Sequence, residues 1–290
     1  MLWLPITLLS AVSFAAMDTV CKGVSPRTGV MLLTGARAWG AIPFLLLLIP
    51  FVQIPPLSRE FFTATGVLIP LDILALTLYV VAIRSSPLSA TLPFLALTPL
   101  FNILTGFILL GETVSLTGVA GIILVACGAY AINLHTIGEG ILAPIRSIGR
   151  ERGSVIMIFL AALFSVTSVL AKKAVLLSSP LFFSVVYLLT LSLALMPVVL
   201  IMGPGARETG RRIITDWKWL ALIGLFALIS YLAHFFAVTQ VEVAYMIAVK
   251  RTMPLFGIVF GKIFFDEPYF RQRMAAGALM VAGVLVIAFA

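Results

Sequence analysis

The chain has 290 residues, of which 62% are hydrophobic and 10% charged, against about 25% charged in a soluble domain. With a mean hydropathy of +1.19, this composition excludes an ordinary soluble fold. The net charge of +8, from 19 Lys+Arg and 11 Asp+Glu, then belongs to basic loops beside anionic lipid and not to a nucleic-acid surface.

A helical span needs roughly 20 apolar residues. The first half of the chain offers such stretches at Leu2–Cys21, Val30–Phe51, Phe62–Ile83, Pro87–Leu110 and Ser115–Leu134. The second half offers Ser154–Leu177, Leu181–Met202, Trp217–Val238, Glu242–Phe265 and Met274–Ala290. No Lys or Arg precedes the first stretch, so it is expected to be a span and not a cleaved signal peptide. Cys21 and Cys127 fall inside spans without metal spacing and read as small buried hydrophobes. The longest links are His135–Gly153 and Gly203–Asp216, both rich in Arg and Gly. The first link divides the chain into a five-helix repeat (1–134), a basic linker (135–153) and a second five-helix repeat (154–290). Within the linker, Ile141–Arg152 also fits a short helix on the membrane surface, since Arg146 and Arg150 lie four apart.

The halves resemble each other. Pro99–Glu112 reads PLFNILTGFILLGE and Pro254–Glu267 reads PLFGIVFGKIFFDE, with seven of fourteen positions identical at an offset of 155. The same offset sets Tyr79 against His234, and an offset of 150 sets Lys22 against Lys172. Each half has an odd number of spans, so the copies must lie in opposite orientations. Such inverted repeats are common in secondary transporters, with the substrate site between the halves near the midplane. The fold class expected is therefore an all-α membrane protein, ten helices as two inverted repeats around a central cavity. Basic residues gather after odd-numbered spans (Lys22, Arg150, Arg152, Arg211 and Arg212 among them), whereas Arg59, Lys172 and Lys173 lie on the other side. The positive-inside rule places the richer side in the cytoplasm.

Ionisable groups inside spans cost about 2.5–3.5 kcal/mol each on insertion scales, so each calls for a reason. Lys250 and Arg251 sit mid-span, too deep to snorkel well, and at least one is expected to face the cavity as an anion site. Asp18 and Lys22 are four apart and would form either a local ion pair or part of a site. Arg37 and Asp72 would either pair across helices or line a water-filled cavity. Of the adjacent Lys172 and Lys173, Lys172 is the inward candidate. Tyr79, His234, Trp39 and Tyr245 read either as core or as cavity walls. Pro93, Pro99 and Pro254 should bend the fourth and ninth spans. Glu112 and Glu267 read as caps or loop anchors at the ends of their helices. Motifs of serine hydrolases, zinc proteases and P-loop enzymes are absent, so the expectation is no enzyme, no metal and no cofactor.

The duplicated Pro-to-Glu segments, Lys22, Arg37 and Val249-Lys250-Arg251 together resemble the ten-helix branch of the drug/metabolite transporter superfamily, the EamA-like exporters. Within it the chain looks closest to the YddG-type aromatic amino-acid exporters. The resemblance covers essentially the whole chain. It implies a cavity lined by the third, fourth, eighth and ninth spans, and export of small metabolites, amino acids among them, across a bacterial inner membrane. It also implies that Lys250 and Arg251, which match a phosphate-holding pair in the phosphate translocators of that superfamily, would take a carboxylate. The partners expected are a small-molecule substrate and the lipid bilayer, without nucleic acid, with the chain acting as a monomer. The alternatives are a carrier of organic anions or phosphorylated metabolites and, behind it, a membrane enzyme or sensor.

Overall fold

Helix caps mark the spans. Ser58 accepts from the Phe61 amide at the start of one helix, and Ser179 accepts from the Phe182 amide at the start of another. Each satisfies an amide that the first turn leaves unpaired. The structure is a computed structural model that describes residues 2–28, 30–86, 92–134, 151–203 and 205–290, and the expectations for 87–91 and for the linker 135–150 lie outside these. Among the described residues every regular element is helical.

In the first half, span 1 is α1 (Trp3–Thr28), and span 2 is α2 (Val30–Trp39) followed by α3 (Ile42–Leu48). Span 3 is α4 (Arg59–Ser85), span 4 a 3-10 stretch (Leu92–Leu97) running into α5 (Thr98–Leu110), and span 5 is α6 (Leu116–Leu134). In the second half, spans 6 and 7 are α7 (Arg152–Leu176) and α8 (Pro180–Met202). Between spans 7 and 8 lies α9 (Ala206–Thr215). Span 8 is α10 (Trp217–Val238), span 9 is α11 (Val243–Lys250) then α12 (Met253–Phe265), and span 10 is α13 (Phe270–Ala288). Leu47, Phe107, Ile108, Leu193, Ile201 and Phe264 are exposed on the outer surface, as lipid-facing side chains should be.

Helix α9 was not expected, because its Arg and Gly content reads as loop. It forms because Glu208 pairs with Arg212 at 2.7 Å one turn on, while Ile213 and Ile214 stay exposed beside Trp217 and Trp219. That is the pattern of a helix lying in the membrane interface.

The packing respects the repeat. Span 1 packs on span 8 as span 6 packs on span 3, span 9 packs on span 1 as span 4 packs on span 6, and spans 5 and 10 pack on each other. The last contact is reciprocal in detail. A Cβ at Gly128 would lie 2.5 Å from Met280, and one at Gly283 would lie 2.8 Å from the Val125 side chain. At the offset of 155, Gly128 matches Gly283 and Val125 matches Met280. Residue i meets j and j meets i, which is the signature of a two-fold axis. Small residues admit this close approach without any hydrophobic drive between helices in lipid.

The tightest crossing is between span 2 and α10, where a Cβ on Gly224 would fall 1.8 Å from the Gly40 carbonyl carbon. Backbone cannot yield as a side chain can. Gly224→Ala is therefore expected to destabilise by about 1–3 kcal/mol through overpacking. Gly66→Ala, where nothing lies within 4 Å, should be neutral or stabilising by up to about 1 kcal/mol. Thermal melts of the two purified variants in one detergent check the contrast.

Candidate functional site

Spans 4 and 9 are broken at equivalent places. Helices α5 (98–110) and α12 (253–265) match at both ends at the offset of 155, and Pro99 and Pro254 occupy the first turn of each. A proline lacks the N–H that an uninterrupted helix would use, so the preceding segment ends and a new helix begins. Pro93 lies within the 3-10 stretch that precedes α5. Around the span 9 break, the Thr252 hydroxyl donates to the Val249 carbonyl at 2.7 Å. Arg251 leaves the chain at this break.

Arg251 enters a cavity of about 320 Å³. Its walls come from span 1 (Ala15, Asp18, Thr19, Lys22), Tyr79 of span 3, Leu92, Leu95 and Ala96 of span 4, Ala129 of span 5, and one face of span 9 (Arg251, Met253, Pro254, Gly257, Gly261, Phe265) with Glu267 at its end. Arg251 Nη2 donates to Thr98 Oγ1 at 2.7 Å, across the two breaks. Its Nε is buried without a hydrogen-bond partner. On the span 1 wall Asp18 Oδ1 accepts from Arg37 Nη2 at 2.7 Å, and the Asp18 side chain remains 46% exposed.

The alternatives left open by the sequence resolve as follows. Asp18 and Lys22 do not pair locally. Lys22 reaches Glu267, which also accepts from Arg273 at 3.1 Å, and Asp18 is taken by Arg37. Arg37 and Asp72 do not pair either, because Asp72 is buried and accepts from the Tyr187 hydroxyl at 2.8 Å. Lys172 is inward, bridged to Glu112 at 2.5 Å, while Lys173 runs out to Glu60.

Of the candidates, Lys22, Tyr79, Arg251 and Pro254 line the cavity. Lys250 is turned away from the wall. Its ammonium sits 3.0 Å from His234 Nδ1 and over the rings of Phe14 and Tyr231. His234 thus occupies the back of span 8, and this cavity is walled by spans 1, 3, 4, 5 and 9. Trp39 donates to the Ser192 carbonyl at 2.8 Å, which holds its indole between spans 2 and 7. Tyr245 is buried against span 5, where its hydroxyl accepts from the Ser115 amide at 3.0 Å.

Sequence reasoning gave too little weight to Asp18, Thr98, Glu112 and Glu267. For the glutamates a signal existed: Lys22 and Lys172 recur at one offset, and Glu112 and Glu267 at another. Two lysines and two acids repeated together point to two ion pairs.

Residues 1–134 and again 152–289 match the EamA-like transporter family. A solved crystal structure shares the fold with a TM-score of 0.74, covering 99% of this chain and 96% of that one at 14% sequence identity. At that identity the likeness speaks to fold alone. No curated protein matches the chain.

The Asp72–Tyr187 contact tests how a mid-span carboxyl is tolerated. Removing the donor in Tyr187→Phe leaves a buried carboxyl short of a partner, at a cost of about 1–3 kcal/mol. Asp72→Asn keeps an acceptor and should melt near the wild type. A melting series in detergent distinguishes the two.

Proposed function

The chain belongs to the EamA-like transporter family, which makes it a multi-pass membrane transporter of small molecules, and from that premise we propose that its substrates are amino acids, exported across a bacterial inner membrane by alternating access. The observation that carries the reading is that a cation from span 9 and an anion from span 1 line one cavity. Arg251 brings a guanidinium, held by Thr98 through Nη2, and Asp18 brings a carboxylate that is partly exposed. A zwitterion offers the complement of both. Its carboxylate suits the planar fork of an arginine, and its ammonium suits Asp18.

The rest of the wall is largely apolar, with Leu92, Leu95, Ala96, Met253, Phe265 and the ring of Tyr79. A few polar groups in an apolar cleft are the usual make-up of a small-molecule site. Such a wall supports neutral and aromatic side chains, as the YddG-type resemblance implies. At about 320 Å³ the space suits a small metabolite.

One observation favours a second reading. Among the described residues neither Lys250 nor Arg251 makes an ion pair. Arg251, the one of the two that lines the cavity, would as an uncompensated cation also hold an organic anion or a phosphate ester.

Efflux from loaded proteoliposomes tests both readings. Arg251→Gln should lower amino-acid flux at least about tenfold, the loss of one charge-assisted bond of about 1.5–3 kcal/mol, with folded protein retained. Asp18→Asn should lower flux of zwitterions and let carboxylates without an ammonium compete relatively better. Normal amino-acid flux in Arg251→Gln would remove the reading. Competition by phosphate esters but not by amino acids would favour the second.

A further inference from the structure

The duplicated Pro-to-Glu segment has a physical explanation. After α5 the chain turns at Gly111 (φ 69°), and after α12 it turns at Asp266 (φ 49°), both left-handed. The turn folds the next residue back, so that the Glu112 amide donates to the Gly106 carbonyl and the Glu267 amide to the Gly261 carbonyl, each at 3.2 Å. The side chains lie over the same glycines. A Cβ would fall 3.1 Å from the Glu112 carboxylate at Gly106, and 2.8 Å from the Glu267 carboxyl carbon at Gly261. Each carboxylate is thereby aimed at a lysine of the other half. Glu112 meets Lys172, and Glu267 meets Lys22.

The two pairs are equivalent in sequence but not in environment. At one face Lys172 and Glu112 are 9% and 12% exposed. Both are anchored on the start of span 9, where the Val241 carbonyl accepts from Lys172 at 2.7 Å and the Val243 amide donates to Glu112 at 2.8 Å. At the other face Lys22 and Glu267 are 57% and 25% exposed, on the rim of the cavity. One turn deeper the contrast repeats. Ser168 donates to Asn102 at 2.8 Å and closes span 6 on span 4. Their equivalents, Asp18 and Gly257, both line the cavity. Both contacts are made in this structure, but the one between spans 4 and 6 is buried, whereas the one between spans 1 and 9 borders the cavity.

We infer that the two lysine–glutamate pairs decide which face of the membrane the cavity opens to. Lys172–Glu112, seated on Val241 and Val243, holds its face shut in this structure. In the opposite state Lys22–Glu267 is the buried pair, the existing contact of span 1 with span 9 tightens until it no longer borders a cavity, and Lys172–Glu112 leaves its backbone anchors for the rim of a new one. Exchange of conformations between inverted halves is what turns one state into the other. These four are positioning residues and touch no substrate in the role assigned to them. The inference rests on transport through this cavity and not on the substrate being an amino acid.

The test reads sidedness. A single cysteine replaces Ala96 on the cavity wall, in a background with Cys21→Ser and Cys127→Ser, and sealed vesicles of each orientation receive a membrane-impermeant charged maleimide. The parent protein should label at least about threefold faster from the Lys22 face. Glu112→Gln, which removes the charge and keeps an acceptor for Val243, should raise labelling from the Lys172 face at least threefold. Glu267→Gln should move the ratio the other way, further toward the Lys22 face. Because that pair is on the rim, losing it costs the fold little, and the second variant tests the inference even if the first folds poorly. Opposite shifts support the inference. Unchanged sidedness, or shifts in the same direction, overturns it. Since labelling needs no substrate, failure of amino-acid flux in the efflux assay leaves this result to stand or fall alone.

Discussion

The structure depends on how charge is tolerated inside a bilayer. A charged side chain at a span centre is costly unless it is paired or reaches water. Here the pairs join different spans: Lys172 with Glu112, Lys22 with Glu267, and Arg37 with Asp18. The first two cross from one half to the other, so they compensate charge and bind the halves together. Breaking a buried pair from one side costs about 3–5 kcal/mol, whereas an exposed pair is worth about 0–1 kcal/mol. Burial at one face and exposure at the other therefore give two equivalent contacts unequal strength.

That inequality is possible because the scaffold beneath it is symmetric. Gly128 against Met280 and Gly283 against Val125 hold spans 5 and 10 in a reciprocal contact on the pseudo-two-fold axis. Nothing in that contact prefers one face of the membrane. The preference appears only where spans 1, 4, 6 and 9 meet, and there it is carried by a few polar groups. A tight, apolar axis with a polar, unequal periphery allows large changes of access with little repacking of the core.

The spans and the repeat were legible in the sequence, because hydrophobic length and a fixed offset of 155 survive without tertiary information. The breaks of spans 4 and 9 were legible too, from Pro99 and Pro254. Ion partners were not. Spacing alone can suggest only local pairs, and it suggested Asp18 with Lys22, whereas Arg37 and Glu267 are brought to those residues by packing. Direction around a helix was also hidden: Lys250 and Arg251 are adjacent, yet only Arg251 lines the cavity, and Lys250 turns to His234. Helix α9 was hidden because its Arg and Gly content reads as loop, while the i,i+4 pairing of Glu208 with Arg212 lies in spacing and not in composition.

The repeat also explains why the cation is where it is. At the offset of 155, Lys250 and Arg251 correspond to Leu95 and Ala96, and these too stand at a helix break. Leu95 and Ala96 share the cavity wall with Arg251. One break thus contributes an apolar surface and the other a guanidinium, to the same space. A symmetric pair of arginines would repel each other there and would present no apolar face to a side chain. Divergence at this break, on a frame whose helix packing is duplicated, lets the frame alternate while the site keeps a fixed polarity.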